Sequence, residues 1–289
     1  MKIAFFGLPL AACLLVADGH EVVVAALSRP GPGRRRLRRL LGAERVFDRP
    51  LLDAHFVDRV REKEPDLVVS WFWTSKIPPE IIATSSRGGF GVHPSLLPRH
   101  RGPDPTTWAI LSADLVTGVT AHRIAAEYDT GAILGARELA IDPEWNAWQL
   151  AKALDRPSLL LLRETTTAFA RGTPPECAQD ERLATGAPFL DDEACAIRWN
   201  EPVASILRKV RALAPAPGAS MEIGDDICFV LRARAAPAPS LLEEPGESML
   251  HRGQVLVRCG DGAIEIVELE RDGEALRGEA LAELFTAGG

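Results

Sequence analysis

A chain of 289 residues with 46% hydrophobic and 25% charged side chains has the make-up of a globular protein, as one large domain or as a larger and a smaller one. A net charge of -7 argues against general nucleic-acid affinity while leaving room for a local basic patch. No apolar run reaches the roughly 20 residues that a membrane span needs, and the five cysteines form no CxxC pair. The expected setting is therefore reduced and cytoplasmic, with no membrane contact and no structural metal.

The first residues, MKIAFFGLPLAACLLVADG, have the look of a secretory signal, with Lys2 ahead of an apolar stretch. Gly7 and Pro9 divide that stretch and a strand pattern resumes straight after it, so no signal is expected. KIAFFG reads as a buried strand, PLAACLLVADG as a short helix and HEVVVAAL as a second buried strand. That order of apolar runs predicts a parallel sheet covered on both faces, in a doubly wound α/β fold. The first turn, FGLPLA, lacks GxGxxG, so a dinucleotide site is unsupported.

A Pro/Gly turn and a basic helix follow in LSRPGPGRRRLRRLLGAERV, then an amphipathic helix in DAHFVDRVREKEPD. DLVVSWFW is the next strand, and IPPEII starts a short helix with prolines in its first turn. The loop GGFGVHPSLLPRHRG leads to the helix PDPTTWAILSAD, the strand TGVTAHRIA, the turn EYDTG and the strand AILGARELAI. A helical region begins at EWNAWQLAKAL, and Pro157 is expected to kink or restart it. The pattern weakens over residues 172–200, as in a linker. A short helix over Val203 to Leu213 is followed by alternating strands and Gly/Asp turns, the signature of a small antiparallel barrel or sheet. The expected division is 1–171, a linker at 172–200, and 201–289.

Two residues stand out chemically. His93 follows a strand end, where open α/β sheets place functional groups, and Asp129 lies in the turn YDTG between two strands. An imidazole and a carboxylate at neighbouring strand ends can form an acid/base pair. Taken singly, His93 also reads as a structural loop histidine and Asp129 as an Asx-turn ahead of Gly131. The six histidines have no ligand spacing.

HPSLLPRHRG, PDPTTWAI, TGVTAHRI and YDTGAIL, in that order, resemble the folate-dependent formyltransferase family. ATGAPFLDDEACAIRWNEPVASILRKVRALAPAPGA and VLVRCGDGAIEIVELERDG look like the linker and C-terminal domain of its transfer-RNA enzyme and of some sugar enzymes. The resemblance covers nearly the whole chain. It implies a Rossmann-like, doubly wound and mostly parallel catalytic domain with an OB-like β-rich domain behind it. It also implies formyl transfer from N10-formyltetrahydrofolate to a primary amine of a small metabolite, such as an amino sugar or a biosynthetic intermediate.

By that resemblance His93 serves the oxyanion and Asp129 handles protons. Trp73, Ser75, Ile77, Ala125, Glu127 and Tyr128 fall where the family holds its folate, and Gly91, Ser95, Arg99 and Arg101 on the acceptor side. The chain departs from the family at Gly91, where the pattern Asn-x-His has its asparagine. Three readings follow. A backbone N–H or a water replaces the lost donor; a nearby side chain does, with Ser95 and His122 the polar candidates; or the domain is a catalytically silent or repurposed folate or acceptor binder. The run from Arg34 to Arg39, which reads equally as a solvated helix face, keeps methionyl-tRNA formylation as the alternative reaction and transfer RNA as the alternative partner.

Overall fold

A computed structural model describes residues 1–29, 31 and 33–287. Its elements run β1 (Lys2–Gly7), α1 (Pro9–Ala17), β2 (Glu21–Leu27), α2 (Arg34–Leu41), β3 (Val46–Asp48), α3 (Ala54–Arg61), β4 (Leu67–Trp71), α4 (Pro79–Ile82), β5 (Gly89–His93), α5 (Pro105–Leu111), β6 (Val116–Arg123), β7 (Ile133–Ala140) and α6 (Ala147–Arg171). They continue through α7 (Asp192–Cys195), α8 (Val203–Leu213), β8 (Ala219–Ile223), β9 (Asp226–Ala236), β10 (Ser248–His251), β11 (Gln254–Arg258), β12 (Ala263–Arg271), β13 (Glu274–Leu276) and α9 (Gly278–Ala287). Pro30 and Pro32 of the expected Pro/Gly turn lie outside the described residues.

The chain forms two compact units. One is Met1–Pro105, Val116–Ala140 and Ala153–Ala187; the other is Thr106–Leu115, Ile141–Lys152 and Pro188–Gly289. Residues 172–187, within the stretch expected as a linker, thus cluster with the first unit.

The first unit holds a seven-stranded sheet in the order β3-β2-β1-β4-β5-β6-β7. Strands β3 to β5 of that order are mutually parallel, and β6 and β7 run antiparallel. The expected mostly parallel, Rossmann-like sheet is present. Strands β1, β2 and β4 are almost wholly buried, as strands covered on both faces are. On one face Ala4, Phe6, Val24, Ala26 and Val68 pack with Phe56, Val57 and Val60 of α3 and Ile81 of α4. Each fully buried side chain of this size contributes roughly 1.5–3 kcal/mol. Asp53 starts α3 by accepting a hydrogen bond from Phe56 N at 2.9 Å. On the opposite face Phe90 stacks on Phe169 of α6, centroids 5.5 Å apart, and Trp71 Nε1 donates to Ser158 Oγ at 3.0 Å.

Helix α6 does not restart at Pro157; it runs through it as one 25-residue element. Pro157 deletes one rung of the helix, but Leu154, Leu161, Leu162 and Phe169 are buried along the stripe on either side of it. Ser158, tied to Trp71 and donating to Asp155 O at 2.8 Å, fixes the turn where the rung is missing.

In the second unit a six-stranded antiparallel sheet has the order β10-β11-β12-β9-β8, with β13 on β12. Ile206, Val210 and Leu213 of α8 bury against Val230, Val257, Ile264, Ile266 and Leu269, which explains the alternation in the sequence. The cysteines are free thiols. Burial pushes the Cys259 thiol up to about 11, so it stays unionised near neutral pH. Among the described residues no helix is long and apolar enough to cross a membrane.

Candidate active site

By register, Ser70 of β4 and Gly91 of β5 lie on the face that carries Phe6 and Val68. Residues two apart on a strand share a face, so Gly91 and His93 of β5 lie together. In the sheet Gly91 stands between Ser70 of β4 and His122 of β6, and His93 beside Thr120.

His93 is buried, and its Nε2 lies 2.8 Å from His100 O. A carbonyl only accepts, so Nε2 carries the hydrogen. The loop after His93 is tightly bound. Ser95 Oγ donates to Arg99 O at 2.6 Å, while Thr120 Oγ1 donates to Ser95 O and accepts from Leu97 N. His100 N donates to Thr185 Oγ1 and Arg101 N to Thr185 O, both at 2.8 Å.

Asp129 takes a left-handed backbone with φ of +57°, which an aspartate tolerates better than most residues. Gln179 holds it there, with Nε2 donating to both Asp129 O and Gly131 O at 2.7 Å. The Asx-turn reading is not realised: Asp129 Oδ2 instead accepts from Gly102 N at 2.9 Å. Gly131 is obligatory for a different reason. A Cβ there would stand 1.9 Å from Arg123 O.

The two sequence candidates meet. His93 Nδ1 is 3.5 Å from Asp129 Oδ2, and a second imidazole joins them, with His122 Nε2 3.5 Å from Asp129 Oδ1. The two rings cross nearly edge-on at 84°. His122 Nδ1 lies 2.9 Å from Arg123 O and so carries the hydrogen of the neutral ring, leaving Nε2 bare towards the carboxylate. Burial lowers the His122 pKa to about 4, against the pull of Asp129. A carboxylate flanked by two basic nitrogens is a place to hold a proton and pass it on. Among the described residues no His/Cys/Asp/Glu cluster is arranged for a metal ion.

The other sequence candidates divide. Ile77 is buried in the apolar cluster on this face, and Trp73 packs against it with ring centroids 5.5 Å from Phe6. Trp73 Nε1 is buried without a hydrogen-bond partner among the described residues. Ser75, Ala125, Glu127 and Tyr128 are exposed. Lys76 Nζ and Glu127 Oε1, 3.9 Å apart, bring the 73–77 and 125–128 segments together. Ser95 is fully buried and its hydroxyl is spent on Arg99 O. Arg99 is exposed. Arg101 is locked by Gln179 and by both oxygens of Glu181 at 2.8 Å, and that carboxylate raises the pKa of the guanidinium further. In α2, Arg34 and Arg38 pair with Asp48 while Arg35, Arg36 and Arg39 are exposed and Leu37 is buried. Gln179 and Ser70 were not among the sequence candidates. Gln179 sits in a stretch without periodicity, and Ser70 gains meaning only from its register opposite Gly91.

The family model described as formyl transferase matches residues 31–165, and that described as formyl transferase, C-terminal domain, matches residues 190–285. A methionyl-tRNA formyltransferase of Herpetosiphon aurantiacus is 33% identical over 95% of this chain and 94% of its own length. Among solved structures, HypX from Aquifex aeolicus in complex with tetrahydrofolic acid superposes with a TM-score of 0.70 at 23% identity. The match covers 99% of this chain, which spans about half of HypX, 47% of it. An N-formyltransferase from Helicobacter canadensis, in complex with folinic acid and dTDP-3-aminofucose, superposes with a TM-score of 0.68 at 13% identity, over 92% of this chain and 98% of that one.

Proposed function

The chain belongs to the formyl transferase family, and we propose that it moves a formyl group from N10-formyltetrahydrofolate to a primary amine of a small metabolite. The carrying observation is the Asp129 carboxylate held between His93 and His122 at the carboxyl end of the sheet.

The reaction makes clear demands. The amine nitrogen bonds to the formyl carbon, the carbonyl π pair moves to oxygen, and the amine sheds a proton. The oxyanion pair then re-forms the carbonyl as the bond from carbon to N10 breaks, the pair of that bond stays on N10, and N10 takes up a proton. Asp129 and the two imidazoles receive the first proton and return one to N10. With Nε2 fixed on His100 O, His93 faces the reaction through Nδ1. Its 3.5 Å separation from Asp129 exceeds that of a made hydrogen bond, so a proton there also serves a developing oxyanion.

The residues present fit a flat donor edged with polar groups. Ile77 and Trp73 supply an apolar wall, the unpartnered Trp73 N–H is a donor in want of an acceptor, and Lys76 with Glu127 joins the two expected segments. The donor supplies the activated one-carbon unit, and these residues only bind and orient it.

A second reading, formylation of methionyl-tRNA, is favoured by the full-length relative and by the exposed side chains of Arg35, Arg36 and Arg39. The deciding experiment mixes protein and N10-formyltetrahydrofolate with amino sugar nucleotides, amino acids and charged initiator transfer RNA, following tetrahydrofolate release by absorbance and products by mass. A small amine made heavier by one CO supports the first reading. Transfer to RNA alone, weakened by Arg35→Ala/Arg36→Ala, establishes the second. Folate binding without turnover on any amine refutes both.

A further inference from the structure

Gly91 raises a question that the reaction makes sharp. Unlike Gly131, it has no steric need to be glycine. A Cβ built there meets Ser70 Cβ at 3.5 Å, Ser70 O at 3.7 Å and His122 Nε2 at 3.8 Å, all ordinary contacts. The position is buried and has room for a Cβ beside His93, bordered by one polar side chain from each neighbouring strand. A carbonyl that becomes an oxyanion under attack there is stabilised by a second donor next to His93.

His122 is the wrong partner for that task. Its Nδ1 hydrogen is committed to Arg123 O, and the Nε2 beside position 91 is bare in the neutral ring. The groups facing it are Asp129 from the β6–β7 turn, His93 from β5 and Arg101 from the loop after β5; Asp129 and the bond to Arg123 O favour its protonation, and burial, His93 and Arg101 prevail over them. Nε2 of the neutral ring accepts a hydrogen bond and carries no hydrogen to offer a developing oxyanion. Ser95, the other polar side chain proposed from sequence, is buried and bonded to Arg99 O.

Ser70 remains. It is part-exposed, on the same face as Gly91 and His93, and its hydroxyl makes no hydrogen bond among the described residues. A hydroxyl is both donor and rotor, so its hydrogen can follow the oxygen as charge builds. We propose that Ser70 is the oxyanion donor of this enzyme, doing from β4, beside the bare backbone of Gly91, what a side chain at 91 would do from β5. The inference rests on the formyl-transfer reading. It also accounts for the glycine, since a side chain at 91 would stand between the Ser70 hydroxyl and the reacting carbonyl.

The test compares wild type, Ser70→Ala, Ser70→Thr, Gly91→Asn and Ser70→Ala/Gly91→Asn by kcat and KM, on whichever acceptor is turned over fastest. Thermal midpoint and affinity for 5-formyltetrahydrofolate, a folate that is bound but not consumed, are measured alongside. The expected result is a loss of about 10²–10³ in kcat for Ser70→Ala, with KM, folate affinity and thermal midpoint nearly unchanged. Ser70→Thr keeps most of the rate, and Gly91→Asn restores part of it in the alanine background. Full activity of Ser70→Ala overturns the proposal, as does a loss confined to folate affinity or stability. An inactive wild type that Gly91→Asn makes active overturns it too, while leaving the formyl-transfer reading intact. If wild type and Gly91→Asn are both inactive on every acceptor, the reaction itself is misassigned and the proposal falls with it.

Discussion

Replacing Asp129 by asparagine separates what its charge does from what its shape does. The backbone at 129 is left-handed, and asparagine occupies that region as readily as aspartate. The carboxamide oxygen can keep the bond from Gly102 N, and its NH2 can donate to the bare Nε2 of His122, 3.5 Å from Oδ1. Folding stability should therefore stay within about 1 kcal/mol of wild type. The chemistry should not survive so well. A proton on His122, 3.5 Å from a full negative charge, gains about 5 kcal/mol from that charge at an effective dielectric of 20. Solvent screening and relaxation make that an upper bound, so a fall of about 10²–10⁴ in kcat is expected. Asp129→Ala is the companion. It should be as inactive but less stable by roughly 2–4 kcal/mol, from the orphaned Gly102 N–H and a left-handed alanine. Initial rates with N10-formyltetrahydrofolate, read beside urea midpoints, decide the matter. If Asp129→Asn keeps kcat within tenfold of wild type, the carboxylate is a loop fastener and the proton role is wrong. If its midpoint falls as far as that of the alanine variant, the isosteric argument is wrong.

Other perturbations probe how the site is held. Gly131→Ala should destabilise the turn by about 1–3 kcal/mol or more, because the new methyl would have to displace Arg123 O from 1.9 Å, and soluble yield and thermal midpoint should fall with activity. Gln179→Ala removes donors to Asp129 O and Gly131 O and a partner of Arg101. It should lower kcat through misplacement of Asp129, and amide exchange across residues 127–131 should quicken. His122, lowered to about 4 from 6.5, makes the folded state lose stability as pH falls through that window, since the unfolded chain takes up a proton there that the folded ring refuses. The slope approaches about 1.4 kcal/mol per pH unit. Subtracting the urea midpoints of His122→Gln from those of wild type between about pH 7 and pH 5 should expose it, and an unchanged slope would show that the ring is charged in the folded protein.

What could be seen in the sequence and what could not differ by the distance over which the information is carried. His93 and Asp129 announce themselves because each sits in a short punctuated loop, HPSLLP or YDTG, whose glycines and prolines fix local geometry regardless of the rest of the chain. The parallel sheet was legible for a similar reason, since strands such as KIAFFG and VVVAAL are too uniformly apolar for anything but a doubly covered sheet. Propensity counts the rung that Pro157 costs helix α6, while the buried leucine stripe and the bond from Trp71 to Ser158 that carry the helix on without a restart depend on packing, the bond on a strand 87 residues away. Gln179 and Thr185 hold the site from a stretch with no periodicity at all. The position at 91 shows the limit most clearly. Read along the chain, glycine there is a missing asparagine. Read across the sheet, it is the middle of a row, Ser70, Gly91 and His122, in which the hydrogen-bond donor has moved to the adjacent strand. A one-dimensional pattern scores the loss and has no means of scoring the compensation, because the compensating residue is 21 positions upstream, in a strand whose other members are all apolar.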